Sequence, residues 1–213
     1  SAFEQAIHGL QERSQNFILL RALRNCILSY YRYRIQAAIV SFLLLICGGC
    51  ERLQDTGLAP GQTAPDLSLV DLDGKPAKLS EQRGGVVLLN FWASWCAPCI
   101  AEMPELEVLH RRLSARGFKV LGVAVDDTPD AVHRIQKEFK ITYPILLDER
   151  GESRRLYKFT GFPESFVLDA QGKLVMIIDP GSAQPVVRMV GPRNWRTGAL
   201  ISQLEALLGG LGA

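Results

Sequence analysis

The stretch Val86–Cys99, which reads VVLLNFWASWCAPC, decides the fold. Its first six residues, Val86–Phe91, form an almost continuous apolar run, the pattern of a β-strand buried on both faces of a sheet. The run leads directly to two cysteines three positions apart, Cys96 and Cys99. Apolar residues then recur at helical spacing up to Gly117, a residue type that favours a helix end. The stretch therefore predicts a strand, a turn that carries two cysteines, and an amphipathic helix.

Further strand and helix patterns surround this stretch. Two short apolar segments flank Asp73-Gly74, a turn signal that predicts a hairpin near the start of the fold. Thr128-Pro129-Asp130 is typical of a helix start, with a hydroxyl cap, a proline at the first helical position and an acid in the first turn. Strands are predicted at 67–70, 75–78, 120–125, 144–147, 165–168 and 174–178, and helices at 129–139, 152–157 and 200–208. This order predicts an α/β fold, a central mixed β-sheet flanked by helices, with an N-terminal hairpin.

The first quarter of the chain carries the pattern of an export signal. Ile35–Cys47 is apolar except for two residues; it is too short to span a bilayer but has the length of a signal's apolar region. Arg32 and Arg34 precede it, and Gly48-Gly49 leads to Cys50, an order that resembles a bacterial lipoprotein signal whose cysteine becomes lipid-modified. A buried helix or an uncleaved membrane anchor are the alternatives. The predicted parts are a signal-like or anchor extension at 1–50, a polar linker at 51–64 and one folded domain at 65–213.

Composition excludes several classes of protein. The chain has 213 residues, of which 47% are hydrophobic and 22% charged, as in a globular protein with a sizeable core. Its formal net charge of +2 is too balanced to suggest nucleic acid as a partner. Five cysteines are too few for a disulfide-stapled scaffold, and after Glu51 the sequence contains only Cys96 and Cys99. Any chemistry based on sulfur in the folded domain therefore rests on this pair.

The spacing of the pair suits thiol–disulfide exchange. Cys96 is predicted at a helix N-terminus, where free backbone N–H groups and the helix dipole favour a thiolate and lower the pKa of the thiol below its free value of about 8.5. Cys99 lies one turn inside, where it is more buried. Cys96 would attack a partner's disulfide, and Cys99 would then attack Cys96 to release the product. Pro98 is tolerated there, because a first-turn N–H has no helical acceptor to lose.

Two other uses of the pair fit the sequence less well. A zinc site needs about four ligands, and after Glu51 neither a second cysteine pair nor histidines of matching spacing occur. A purely structural disulfide between adjacent helical turns closes a tiny loop and removes little chain entropy. We therefore predict no metal site and a redox role for the pair.

Three further motifs make the sequence recognisable. Phe91–Cys99 (FWASWCAPC) is followed by Glu102 and Pro104 in a Cys-x-x-Glu-x-Pro pattern; the other two motifs are Gly161–Asp169 (GFPESFVLD) and Gly191–Trp195 (GPRNW). Over roughly 64–208 the chain resembles the thioredoxin superfamily, and more closely its TlpA- and ResA-like branch of membrane-tethered, extracytoplasmic thiol–disulfide oxidoreductases. The resemblance implies a thioredoxin-like fold and a redox-active Cys96–Cys99 disulfide with no other cofactor.

The resemblance also implies roles for residues around the cysteines. The bond before Pro163 is expected to be cis, which would place Phe162 and Pro163 beside Cys96 to bind an extended substrate together with Trp95. Trp92 and Pro98 are expected to shape and shield the site, with simple core packing as the alternative for the tryptophans.

Asn90 stands where cytoplasmic thioredoxins carry a buried aspartate, and an amide cannot take a proton from Cys99. Glu102, one turn beyond Cys99, is the expected substitute, since burial near the thiols would raise the pKa of its carboxyl; a solvated surface glutamate is the alternative. The segment Asp179–Pro185 departs from the family pattern, being longer than the expected turn. It is either a surface loop or part of a docking surface.

The expected function is reduction of disulfides in specific exported proteins, for example during cytochrome c or metal-site maturation. The expected partners are those proteins and an upstream membrane dithiol donor, with the membrane reached through the N-terminal segment and the domain periplasmic or otherwise extracytoplasmic. Alternatives are a disulfide-forming oxidant of the same fold, a thiol peroxidase, and a copper-delivery binding module. The Trp-Cys-x-x-Cys arrangement argues against a thiol peroxidase, which would need a peroxidatic cysteine preceded by a Thr or Ser in a proline-rich loop. A copper-delivery module is disfavoured because the two cysteines are too close in sequence and no histidine follows His133.

Overall fold

A computed structural model describes residues 57–125 and 127–210. The predicted signal-like or anchor segment, the candidate lipidation site Cys50 and the first part of the predicted linker lie outside these residues. Within them, no helix has both the length and the apolar character needed to cross a membrane.

A mixed sheet forms the centre of the domain. The strands are β1 Ser68–Asp71, β2 Pro76–Lys78, β3 Val86–Trp92, β4 Phe118–Val125, β5 Ile145–Asp148, β6 Glu164–Leu168, β7 Leu174–Val175, β8 Ile177–Ile178, β9 Pro185–Val186 and β10 Arg188–Val190. The sheet order is β10-β6-β3-β4-β5-β1-β2, with β7 paired to β6, and a separate two-stranded sheet joins β8 to β9. The predicted N-terminal hairpin is confirmed, with β1 antiparallel to β2 and Gly74 at a positive φ of 77° in the turn.

Helices cover both faces of this sheet. They are α1 Ala97–Leu113, α2 Pro129–Glu138, α3 Glu152–Tyr157 and α4 Gly198–Gly209. Residues such as Leu106 of α1 and Leu204 of α4 pack in one core cluster with Leu88 of β3, whereas Tyr157 of α3 packs in the other with Phe91. The predicted central mixed sheet flanked by helices is therefore confirmed. Both core layers contain β3, whose seven residues are all buried, as its apolar run predicts.

Strand direction brings the predicted site together at one end of the sheet. Strand β3 runs parallel to β4, so the segments that follow their carboxyl ends are neighbours. Strand β6 runs antiparallel to β3, with Glu164 opposite Phe91, so that the residues before β6 lie beside the residues after β3. The segment that carries Cys96 therefore meets the segment that carries Pro163.

The structure differs from the sequence prediction at three places. The predicted strand at 174–178 is split, because Leu174–Val175 pairs with β6 whereas Ile177–Ile178 pairs with β9. Strands β9 and β10 were not predicted: β9 pairs with β8, and β10 pairs with β6 and forms one edge of the sheet. The end of the predicted 51–64 linker belongs to the fold: the N–H groups of Gly61 and Ala64 donate to backbone carbonyls of the 169–174 hairpin.

Candidate active site

The two cysteines form a disulfide at the start of α1. Cys96 is the N-cap residue, and its sulfur accepts a hydrogen bond from the N–H of Cys99 at 3.3 Å. Pro98 occupies the first turn, where its missing N–H costs nothing. Cys96 is 6% exposed and Cys99 1%, so Cys96 is the more accessible of the two. This arrangement agrees with an attacking Cys96 and a resolving Cys99.

An acid after β4 fixes the loop that precedes Cys96. The backbone N–H and the hydroxyl of Ser94 both donate to the carboxylate of Asp127, the hydroxyl at 2.6 Å. Sequence reasoning missed Asp127. Its position just beyond a buried strand parallel to β3 could have predicted its place at the site, because the carboxyl ends of parallel strands meet at one edge of the sheet.

The aromatic residues around the disulfide have different roles. Trp92 is fully buried and packs in the core, whereas Trp95 is 65% exposed beside Cys96 in the chain. The ring of Trp95 meets that of Phe162 edge-on, with centroids 5.6 Å apart. The Phe162–Pro163 peptide bond is cis, as the resemblance implied. Trp95 and Phe162 thus form an aromatic surface next to the cysteines, and Pro163 directly precedes strand β6.

Glu102 is buried on the inner side of the disulfide, so the solvated-surface alternative is wrong. One carboxylate oxygen accepts a hydrogen bond from Asn90 Nδ2 at 3.0 Å; the other accepts bonds from the indole of Trp195 at 3.0 Å and the backbone N–H of Arg193 at 3.1 Å. Burial raises the pKa of Glu102 above its ordinary value, and these bonds oppose the rise only in part. Because Glu102 follows Cys99 by three residues in α1, the two side chains share a helix face.

A second buried glutamate supports the segment that carries the cis bond. Glu164 accepts hydrogen bonds from the N–H groups of Thr160 and Gly161 at 3.1 and 3.4 Å, and its other oxygen lies 3.3 Å from Arg188. Burial raises the pKa of Glu164, although its hydrogen bonds and Arg188 oppose this. No role was predicted for Glu164, because its burial follows from the position of β6 within the sheet.

The described part of the chain contains no group of three His, Cys, Asp or Glu side chains placed to hold a metal ion. The site therefore consists of a helix-capping disulfide, an exposed aromatic surface and a buried carboxyl. This set can exchange electrons as a dithiol and a disulfide, and it can move one proton at Glu102.

Comparisons with known proteins agree with this chemistry. The model of the AhpC/TSA family matches residues 60–177, more than half of the chain, and the chain belongs to this family. The thiol-disulfide oxidoreductase ResA of Geobacillus kaustophilus is 36% identical over 125 residues, which are 59% of this chain and 72% of that protein. The ResA of Bacillus subtilis is 31% identical over 121 residues, 57% of this chain and 68% of that protein.

A solved structure extends the likeness to the fold. A protein of Chlorobium tepidum assigned as the thiol:disulfide interchange protein DsbE is 33% identical, with a TM-score of 0.61 over 71% of this chain and 99% of that one. The chain is thus a thiol–disulfide oxidoreductase of the ResA and DsbE type, with a thioredoxin-like fold. Its substrates are protein thiols and disulfides.

Proposed function

We propose that this oxidoreductase works outside the cytoplasmic membrane as a reductant of disulfides in particular exported proteins. The observation that carries the proposal is the position of Cys96, at a helix N-terminus and beside the exposed aromatic surface of Trp95 and Phe162. Such a surface suits an extended protein segment better than a small thiol. The apolar Ile35–Cys47 run and Cys50 support a tether to the membrane.

The proposed reaction has two steps. The thiolate of Cys96 attacks one sulfur of a substrate disulfide, which forms a mixed disulfide and releases the other substrate sulfur as a thiolate that takes a proton. Glu102 then accepts the proton of Cys99, whose sulfur attacks Cys96 and releases the second substrate thiolate. The substrate disulfide is reduced to two thiols, and the enzyme dithiol is oxidised to the Cys96–Cys99 disulfide. An upstream membrane dithiol donor would return the enzyme to its reduced form.

Trapping in the native host tests this function. A full-length Cys99→Ser variant should accumulate mixed disulfides through Cys96 with exported proteins, such as cytochrome c precursors or proteins that assemble a metal site. The matched Cys96→Ser variant should trap none. Capture by Cys96→Ser in place of Cys99→Ser would overturn the assignment of the two sulfurs.

The side of the membrane on which the protein works and the direction of its redox reaction need separate measurements. A thiol reagent that cannot cross membranes should label reduced Cys96 in intact spheroplasts, and mass spectrometry of the mature protein should find a lipid on Cys50. Labelling only after lysis would contradict the extracytoplasmic site. The redox potential of the pair should be well below the value of about −120 mV that is typical of strong oxidants. A value near that figure would favour disulfide formation as the function.

A further inference from the structure

A short turn between β10 and α4 supplies two of the donors that hold Glu102. The backbone N–H of Arg193 and the indole of Trp195 donate to the same carboxylate oxygen, at 3.1 and 3.0 Å. Backbone donors are useful only if the backbone is held still, and this turn is neither helix nor strand. What fixes the turn therefore also fixes the environment of Glu102.

The side chain of Arg193 fixes the turn from within. Its guanidinium donates to the carbonyl oxygens of Gly191 and Pro192 at 3.1 and 3.0 Å. It also makes a bidentate ion pair with Asp179, with Nε at 2.7 Å from Oδ1 and Nη2 at 3.0 Å from Oδ2. The pair is well shielded, since the two side chains are only 16% and 4% exposed. Bidentate, shielded pairs of this kind impose geometry as well as attraction.

Asp179 is itself held by the segment that departs from the family pattern. Its carboxylate accepts hydrogen bonds from the N–H of Gly181 at 3.1 Å and the hydroxyl of Ser182 at 3.0 Å, and its own N–H donates to the carbonyl of Gln184. Burial alone would raise the pKa of Asp179, but the bonds from Arg193 and from this loop lower it overall. The loop thus presents a carboxylate to Arg193.

We propose that Asp179 and Arg193 are positioning residues for Glu102: their ion pair holds the 191–193 turn so that its backbone donor stays on the Glu102 carboxylate. The unusual 179–185 loop then serves the active site through Arg193, in addition to any role at the surface. The kinetic consequence of this inference rests on the proposed role of Glu102 as proton acceptor. The effect on the Glu102 carboxyl itself does not depend on that role.

Two effects of Asp179→Asn act on Glu102 in opposite directions. Removal of a negative charge would, by Coulomb's law alone, stabilise the Glu102 carboxylate and lower its pKa. Loss of the ion pair would loosen the turn, weaken the N–H donor and raise the pKa. The other polar groups near Glu102 are unchanged by this variant: Cys99 and Glu105 on α1, Asn90 on β3, Ser165 on β6 through Asn90, Tyr143 before β5, and Trp195. A rise in the pKa of Glu102 would therefore indicate loss of positioning, whereas a fall would indicate the effect of the removed charge.

The experiment is a carbon-13 NMR titration of the Glu102 carboxyl in the oxidised full-length protein, assigned by the loss of its signal in Glu102→Gln. The positioning proposal predicts that the pKa of Glu102 rises in Asp179→Asn. It also predicts a rise in Arg193→Lys, which keeps the positive charge but loses the bidentate fork. An unchanged or lower pKa in Asp179→Asn would overturn the proposal; if that variant does not fold, the same outcome in Arg193→Lys would do so.

Two controls complete the test. Asp169→Asn removes an acid of similar local role, which accepts bonds from Gln171 and Lys173 in a hairpin turn at the far end of β6, and should leave Glu102 unchanged. Asp179→Glu should restore much of the wild-type titration.

Kinetic measurements distinguish a failure of the positioning proposal from a failure of the proposed proton transfer by Glu102. In Asp179→Asn, attack of Cys99 on a mixed disulfide should slow by about tenfold on the acid side of its pH profile, the effect of roughly one charge-assisted hydrogen bond. A raised pKa of Glu102 with an unaltered rate would support positioning and refute proton transfer by Glu102.

Discussion

Replacement of Glu102 by glutamine separates the two chemical steps. Glutamine keeps the shape of the side chain, and it can retain its neighbours: its oxygen can face the donors from Arg193 and Trp195, while Asn90 turns its amide to accept from the new NH₂ group. When the Asn90 amide turns, the Ser165 hydroxyl, which now accepts from Asn90 Nδ2 at 3.0 Å, can donate in its place. The main loss in the variant is therefore the ability to take a proton. Because Cys99 is 1% exposed, water and buffer bases replace Glu102 poorly.

The expected loss is about 100-fold in the attack of Cys99 at pH 7, the lower end of the contribution of a positioned base. This corresponds to about 2.7 kcal/mol of activation free energy. Attack by Cys96 should keep its rate, because that step does not use the proton of Cys99. The acid limb of the wild-type pH profile, which reflects the raised pKa of Glu102, should disappear in the variant.

Stopped-flow reaction of the reduced protein with an aromatic disulfide measures both steps. The first chromophore is released when Cys96 attacks and the second when Cys99 resolves the mixed disulfide, in a full-length background that lacks the other three thiols. Equal slowing of both phases, or an acid limb that persists in Glu102→Gln, would refute the reasoning.

Stability supplies an independent check on Glu102. Because the pKa of Glu102 is raised in the folded protein, the folded state binds this proton more tightly than the unfolded state does. The free energy of unfolding of the wild type should therefore rise, relative to that of Glu102→Gln, as the pH falls through the raised pKa. Urea unfolding at several pH values measures the difference. The opposite trend would mean that the folded site favours the carboxylate.

Three further substitutions test other parts of the site. Asn90→Asp places a second carboxylate about where the amide now lies, 3.0 Å from Glu102, and should raise the pKa of Glu102. The acid limb in the pH profile of the second phase should therefore move to higher pH, and movement to lower pH would contradict this. Trp95→Ala should raise KM for a protein disulfide while leaving the first phase with the small disulfide unchanged, and a fall in kcat at constant KM would argue against a binding role. Gly122→Ala brings a Cβ to 3.1 Å from the indole nitrogen of Trp92 and should lower the free energy of unfolding, measured in urea, by about 1–3 kcal/mol. Wild-type stability of this variant would show that the surrounding side chains move to accommodate the methyl group.

Local patterns in the sequence were enough to predict the centre of the fold. The apolar run of β3 and the cap at Thr128 each depend on neighbours in the chain, and both appear as predicted. Helix α1 itself ends at Leu113, and Gly117 closes the 3-10 turn that follows it, at a positive φ of 90°. Strands β9 and β10 and the split between β7 and β8 were not predicted, because short edge strands depend on their pairing partners. Their two or three residues carry too little periodicity to identify them.

The same distinction holds at the site. The cysteine pair and Glu102 share one helix, so their spacing alone places them together. Asp127 and the Asp179–Arg193 pair act across the fold, and no spacing rule connects them to the cysteines. Glu164 was also missed, since its burial follows from the position of β6 within the sheet.

The reactivity of Cys96 is the most direct test of the proposed chemistry. The reduced protein should be treated with a limiting amount of iodoacetamide near neutral pH and its peptides separated, with an unstructured peptide thiol as the reference. Cys96 should be labelled faster than the reference and far faster than Cys99, because it caps α1 and lies outermost. Labelling of Cys96 at or below the reference rate, or preferential labelling of Cys99, would contradict the proposed chemistry.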